Sequence, residues 1–296
     1  MLLINYPISL VSLKSFGDFI IARWALQRLG TATSDVSIII GDHLIDLDAA
    51  LGSYFATYYI RHCEGGVPAM YDIKKLGALR GIRSAFHLRY LFSELNLPSN
   101  SMLIFDKTGL RERFVASAYP TRDLPKAQNI YLAYQQLLGL ESGIASQPTS
   151  VGQSVLSKSV GIFPGSRVLA KNLPESVIKN LLHTCVIQGM RPTVYILDGE
   201  GANLPLSLKS VTILPRRFDA MASAVRSVDA VISADSMPAH MAEYFGNPVF
   251  VVSPKPNQYW LPLSCIANNH WALFDDIFTE SGKLNNFLEQ GNRLAP

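Results

Sequence analysis

Short apolar runs alternate with longer amphipathic stretches from one end of the chain to the other. Residues 8–13 read as a strand, 18–29 as a helix and 36–41 as a strand. Residues 55–60 and 102–105 read as further strands, and 128–138 as a helix. Residues 139–159 then break the pattern: they are rich in Gly, Ser, Gln and Thr and hold Pro148, the composition of a linker. Beyond them the alternation restarts. It gives strands at 160–163, 193–197, 211–214, 228–232 and 248–252, helices at 175–188 and 218–226, a helix opening near Ser236, and a weakly amphipathic tail helix at 283–289. Two successive series of this kind predict an α/β chain of two doubly wound, Rossmann-like domains with parallel sheets, 1–148 and 149–296, facing across a cleft. In such domains ligands bind beyond the carboxyl ends of the strands.

Composition narrows the function. The 296 residues are 48% apolar and 17% charged, as expected of a globular chain with sizeable cores. A net charge of +3 argues against a protein that grips nucleic-acid backbone. Cys63, Cys185 and Cys265 are isolated and odd in number, which fits a reducing cytoplasm and neither a disulfide framework nor a zinc ribbon. The first 13 residues are apolar but lack a basic leader and a small-residue cleavage site, and no run is long enough to span a bilayer.

Candidate chemistry gathers where strands give way to helices. After 228–232 comes Ala234-Asp235-Ser236-Met237-Pro238-Ala239-His240, ahead of a helix that stops at Gly246. The first N–H groups of a helix lack internal partners and favour anions. Ser236 or Asp235 is expected to cap this helix, with Pro238 in its first turn. His240, a little over one turn past Asp235, can face the same pocket. A second junction, Gly165-Ser166-Arg167 through Lys171 to Pro174, combines a Gly/Ser turn, two cations and a helix start, which suits a diphosphate. A third, Asp198-Gly199-Glu200, offers carboxylates to ribose hydroxyls but fails as a dinucleotide fingerprint. A fourth, Lys14-Ser15-Phe16-Gly17-Asp18, places an acid after a glycine suited to a tight turn. Asp46 and Asp48 form an Asp-x-Asp pair, read more simply as part of a polar loop that starts a helix than as a metal site.

Taken in order, Lys-Ser-x-Gly-Asp at 14–18, Pro-Gly-Ser at 164–166 with Lys-x-x-Pro at 171–174, and Asp-Ser-x-x-x-His with Gly-x-Pro at 235–248 make up a set. The set resembles the ADP-heptose:lipopolysaccharide heptosyltransferase family, glycosyltransferase family 9. The resemblance implies a GT-B fold and an inverting, metal-independent transfer of a heptose-like sugar from a nucleoside-diphosphate donor to a lipopolysaccharide or other glycan acceptor, without a cofactor. It implies that Asp18 is the catalytic base, and that Ser166, Arg167 and Lys171 contact the donor diphosphate. It further implies Glu200 as the ribose acid, and Asp235, Ser236 and His240 as the donor-sugar and phosphate loop. Met237 stands where the family usually has Gly, and Leu173 where it usually has Trp. Two alternatives share this architecture: a sugar-nucleotide epimerase, and a non-catalytic nucleotide-sugar or glycan-binding module. The basic stretch Lys74, Lys75, Arg80, Arg83 and Arg89 reads either as a solvated helix face or as a contact for an anionic glycolipid or the inner face of the cytoplasmic membrane.

Overall fold

The computed structural model describes residues 7–29, 36–52, 56–61, 67–106, 108–140, 158–199, 211–277, 279 and 281–293. The described residues up to Ala127, with 131–140, form one compact unit, and those from Lys158 onward, with Gln128–Ile130, form another. The predicted boundary between 148 and 149, and most of the predicted linker, lie outside the described residues, as does Cys63.

The first series runs β1 (Ile8–Ser12), α1 (Phe16–Leu29), β2 (Val36–Gly41), α2 (Ile45–Leu51), β3 (Thr57–Ile60), α3 (Ile73–Leu76), α4 (Ala78–Ser93), β4 (Met102–Phe105), α5 (Leu110–Val115), β5 (Thr121–Asp123) and α6 (Ile130–Leu138). The second runs β6 (Ser159–Phe163), α7 (Glu175–Ile187), β7 (Arg191–Leu197), β8 (Val211–Leu214), α8 (Phe218–Arg226), β9 (Ala230–Ala234), α9 (Met237–Phe245), β10 (Val249–Ser253), α10 (Leu263–Asn268), β11 (Trp271–Leu273) and α11 (Ser281–Arg293). Among the described residues the sheets have the orders β3-β2-β1-β4-β5 and β11-β10-β9-β6-β7-β8, with parallel pairing throughout. Renumbered from its own first strand, the second sheet reads 6-5-4-1-2-3, the doubly wound order, and the first follows the same order with five strands. Central strands β1, β9 and β10 are buried along their whole length, which is why they appear in sequence as unbroken apolar runs. The chain order reverses between β1 and β4 and again between β6 and β9.

Most element ends differ from the sequence reading by one to a few residues, and α3, α4, α5, β5, α10 and β11 have no range there; three differences have a visible cause. Helix α1 starts at Phe16, two residues early, because the Ser15 hydroxyl accepts the Asp18 N–H at 3.3 Å and the Ser15 carbonyl accepts that of Phe19 at 3.2 Å. Gly17 is therefore helical and makes no tight turn. Strand β9 begins two residues late, because Asp229 is occupied at the sheet's entrance. Its carboxylate accepts both the N–H and the hydroxyl of Ser159, each at 2.8 Å. Helix α2, expected only as a helix-starting loop, is a full element.

Helix α1 is buried from Phe19 through Leu26, and that run includes Arg23. A buried guanidinium requires a counter-charge. Asp48 of α2 supplies it, with Oδ1 at 3.2 Å from Arg23 Nε, while Arg23 Nη2 donates to the Gly52 carbonyl at 2.7 Å. The Tyr59 hydroxyl donates to the other Asp48 oxygen at 3.3 Å. Burial, and after it the Asp48 charge, push the Tyr59 phenol above its ordinary pKa. Asp48 is thus a structural ion-pair partner. Asp46, two positions away on the helix, faces solvent. The two carboxylates lie on opposite sides of α2, as a separation of two residues dictates.

Asp48→Ala should destabilise the protein by about 3–5 kcal/mol, since it strands a buried cation. Asp46→Ala should change stability by less than about 0.5 kcal/mol. Urea unfolding of the two variants beside the parent checks both values.

Candidate functional site

Strand register determines which residues meet at the second reversal. Phe163 of β6 pairs with Ser233 of β9, so Gly165 and Asp235 leave the sheet at the same level, two residues further on. The segment after β6 folds back on itself: Leu173 N–H donates to the Pro164 carbonyl at 2.9 Å, and Ser166 N–H donates to Asn172 Oδ1 at 2.7 Å. The Ser166 hydroxyl accepts the Val168 N–H at 3.3 Å. A single 3₁₀ turn at Leu169–Lys171 then carries the Lys171 side chain to Asp235, where Nζ donates to Oδ2 at 2.8 Å. Asn257, in the segment after β10, donates Nδ2 to that same oxygen at 3.0 Å.

Ser236 is the N-cap residue of α9, and Pro238 stands in its first turn, as the sequence predicts. The expected side-chain cap is not made. Ser236 Oγ donates instead to the Gly165 carbonyl at 3.0 Å, tying the two loops together. Gly246 ends the helix in the left-handed conformation, its N–H donating back to Ala242 and Glu243, so the predicted stop is where it was placed. His240 is buried one turn inside α9. Burial lowers its pKa to about 4; Lys171 adds to that lowering and Asp235 opposes it. At neutral pH the imidazole is uncharged.

The second-unit candidates therefore come together as Ser166, Lys171, Asp235, Ser236 and His240. Arg167 lies on the same loop with its side chain in solvent. Glu200 lies outside the described residues, and its neighbour Asp198 is exposed. Asn257 and Asn172 were not singled out from the sequence. For Asn257 the signal was its place just past the end of a strand adjacent to β9. Lysine carries three donors, and Asp235 engages one of them. A cation, backbone N–H groups at the start of α9, and hydroxyls on two loops suit a diphosphate.

In the first unit Asp18 sits in the first turn of α1, partly buried, next to the reversal between β1 and β4. Ser15 performs the capping, so the role of a cap does not fall to Asp18. Beside it Lys14 donates to Asp106 at 3.2 Å, lies 3.9 Å from Glu112, and stands 4.9 Å over the Tyr71 ring. Burial, followed by the Glu112 and Asp106 charges, pushes the Tyr71 phenol well above its ordinary range. The sequence reading missed this cluster, although Asp106 directly follows a predicted strand. Among the described residues, no three of His, Cys, Asp and Glu are grouped so as to hold a metal ion, and no helix is long and apolar enough to cross a membrane.

No family model and no curated protein matches the sequence. Solved structures do match. The E. coli heptosyltransferase WaaC with ADP-2-deoxy-2-fluoro heptose aligns over 96% of this chain and 99% of its own, at 12% identity and a TM-score of 0.62. The E. coli ADP-heptose lipopolysaccharide heptosyltransferase II aligns over 96% and 99%, at 13% identity and a TM-score of 0.59. A family 9 glycosyl transferase from Veillonella parvula aligns over 97% and 95%, at 14% identity and a TM-score of 0.62.

The buried imidazole yields a stability prediction. Its folded pKa, about 4, lies below the unfolded value near 6.5, so the unfolded state binds the extra proton first. Stability attributable to His240 should be complete above about pH 6.5 and fall as pH drops toward 4, by at most about 1.4 kcal/mol per pH unit. Denaturant unfolding across this range, compared between the parent and His240→Asn, should show a shallower slope in the variant. With two parallel, doubly wound units that align along nearly their full length with those three structures, this chain has the GT-B fold of the family 9 heptosyltransferases.

Proposed function

We propose that this chain is a family 9 glycosyltransferase, inverting and metal-independent, that moves a heptose-like sugar from a nucleoside diphosphate to a lipopolysaccharide or other glycan acceptor. One observation carries the reading: the motif residues Ser166, Lys171, Asp235 and Ser236 meet at the reversal of the second sheet, where doubly wound sheets bind ligands. A structural neighbour solved with ADP-2-deoxy-2-fluoro heptose supports a sugar nucleotide as the donor class.

In this reading the donor diphosphate takes the free donors of Lys171, with Arg167 beside it and the N-terminus of α9 behind it. Glu200 takes the ribose, and His240, uncharged, packs under the sugar loop. Asp18 accepts the proton of the acceptor hydroxyl as its oxygen bonds to the anomeric carbon. The bond from that carbon to the diphosphate breaks, and its electron pair leaves with the nucleoside diphosphate. Lys171 and the helix N-terminus stabilise the charge that develops there. A single displacement inverts the anomeric centre. The buried free thiols Cys185 and Cys265 support a reducing cytoplasm as the site of action. An acceptor anchored in lipid would bring the enzyme to the inner face of the cytoplasmic membrane.

Lys171→Ala should weaken donor binding by about 1.5–3 kcal/mol, the worth of a hydrogen bond to a charged group. Calorimetric titration with ADP-sugars against a folded variant measures it, and an unchanged dissociation constant removes Lys171 from the donor site.

Asp18→Asn keeps the side chain's size but cannot take a proton. Single-turnover transfer should slow by roughly 10²–10⁴-fold, with donor affinity unchanged and activity surviving EDTA in the parent. Transfer at the parent rate would exclude Asp18 as the base.

A further inference from the structure

Helix α4 has two apolar sides. One packs inward: Leu88 and Phe92 belong to the core of the first unit, and Ala85 lies against it. At Gly81 that side comes so close to Ile73 that a Cβ there would lie 2.5 Å from Ile73 Cγ1. The other side faces solvent. Leu79, Ile82, Phe86 and Tyr90 are 82%, 55%, 60% and 59% exposed. Their spacing of three, four and four residues lines them up as one ridge, about 17 Å long at 1.5 Å per residue. Phe86 meets Phe114 of α5 edge-on at 5.0 Å, and Leu110, one turn before Phe114, is also exposed. Large apolar side chains ordered into a stripe on a surface mark a binding face.

Charge identifies the partner. At 100° per residue, Arg80 and Arg83 lie along one flank of the ridge and Arg89 along the other. Lys74 and Lys75 precede it on α3, and all five cations are exposed. No Asp or Glu occurs from Ile73 through Ser93. Arg89 also borders a hollow of about 360 Å³ between α4 and the segment after α5, lined by Phe86, Tyr90, Ser93, Ser117 and Ala118. An apolar ridge bounded on both sides by cations is the layout of a helix lying in the plane of a membrane interface, apolar side chains among the acyl chains and cations at the phosphates. Lys75 is paired with Asp72 at 3.4 Å and Glu94 follows the helix, so the charge beside the ridge is that of Arg80, Arg83, Arg89 and Lys74; this surplus of cations favours an anionic surface.

We propose that α4 docks this protein on an anionic lipid bilayer through Leu79, Ile82, Phe86 and Tyr90, with Arg80, Arg83 and Arg89 on the headgroups. The proposal gives a surface to the membrane contact expected of the glycosyltransferase reading. It is tested without donor or acceptor, so that its failure leaves the transfer chemistry standing.

The experiment is flotation of the full chain with vesicles of phosphatidylcholine alone, or of phosphatidylcholine and phosphatidylglycerol in equal parts. Binding is expected to the mixed vesicles only, and to weaken with added salt. Arg83→Gln should lower the partition coefficient about fivefold, the share of one cation near the surface. Ile82→Glu with Phe86→Glu should lower it by about tenfold or more, at an unchanged melting temperature. Tyr90→Trp should show fluorescence quenched by brominated acyl chains. No binding to mixed vesicles overturns the proposal, as does binding that the Ile82/Phe86 variant retains. A concentration-dependent dimer in sedimentation that the same variant abolishes also overturns it, and makes a second copy of the chain the occupant of the ridge.

Discussion

A parallel strand cannot return to its neighbour through a tight turn, so each strand end in these sheets must release the chain into a loop and a helix. Where the strand order reverses, two such loops leave side by side in opposite directions and open a crevice between them. That constraint places the candidates that follow β1, β6 and β9. In the second sheet it puts the Gly165–Lys171 segment beside Asp235 and Ser236, because β6 and β9 are neighbours in register. In the first sheet it puts Lys14 beside Asp106, because β1 pairs with β4. These residues are distant in sequence and become adjacent only through the winding.

The contact that holds the second crevice in shape is the pair between Lys171 and Asp235. Asp235 is nearly buried, while Lys171 keeps about a third of its side chain in water. A buried carboxylate is costly unless donors surround it, and two reach the same oxygen, from Lys171 and Asn257. The lysine is thereby aimed without being consumed, since two of its three donors stay available to an anion. Its charge, so close to His240, adds to the burial that keeps the imidazole neutral. On the proposed reading, a cation fixed in advance favours a diphosphate, because a flexible lysine would lose its rotamer freedom on binding. Ser236 serves the same end: its hydroxyl bonds the opposite loop at Gly165 in place of its own helix.

Most of the strand framework was legible in the sequence, because buried parallel strands appear as largely apolar runs: residues 36–41 and 102–105 are strands with the predicted bounds, as is the more exposed edge strand at 211–214. What was not legible depended on which polar group found which partner. Residues 228–229 look like strand, but Asp229 is held by Ser159, seventy positions away in the chain. Gly17 looks like a turn, but Ser15 caps the helix ahead of it. Asp46 and Asp48 look alike in sequence, yet a helical separation of two sends one to solvent and the other to Arg23. The cluster of Lys14, Tyr71, Asp106 and Glu112 draws on four separate segments, and no local pattern announces it.

Helices α1 and α4 show that packing, more than the pattern of apolar positions, sets the surroundings of an element. Both carry apolar side chains around most of their circumference and an arginine among them. In α1 the packing closes over all of them, so Arg23 requires a buried partner. In α4 packing closes over the side that presents Gly81 and lets Ile73 approach, while the opposite side leaves Leu79, Ile82 and Tyr90 exposed and meets α5 through Phe86 against Phe114. An arginine on such a helix keeps its hydration and needs no counter-charge from the protein. Isolated apolar side chains on a surface call for no explanation, but four in line with cations on both flanks do. Only the tertiary structure separates the two cases, and it turns the basic stretch read from the sequence into the rim of an apolar face.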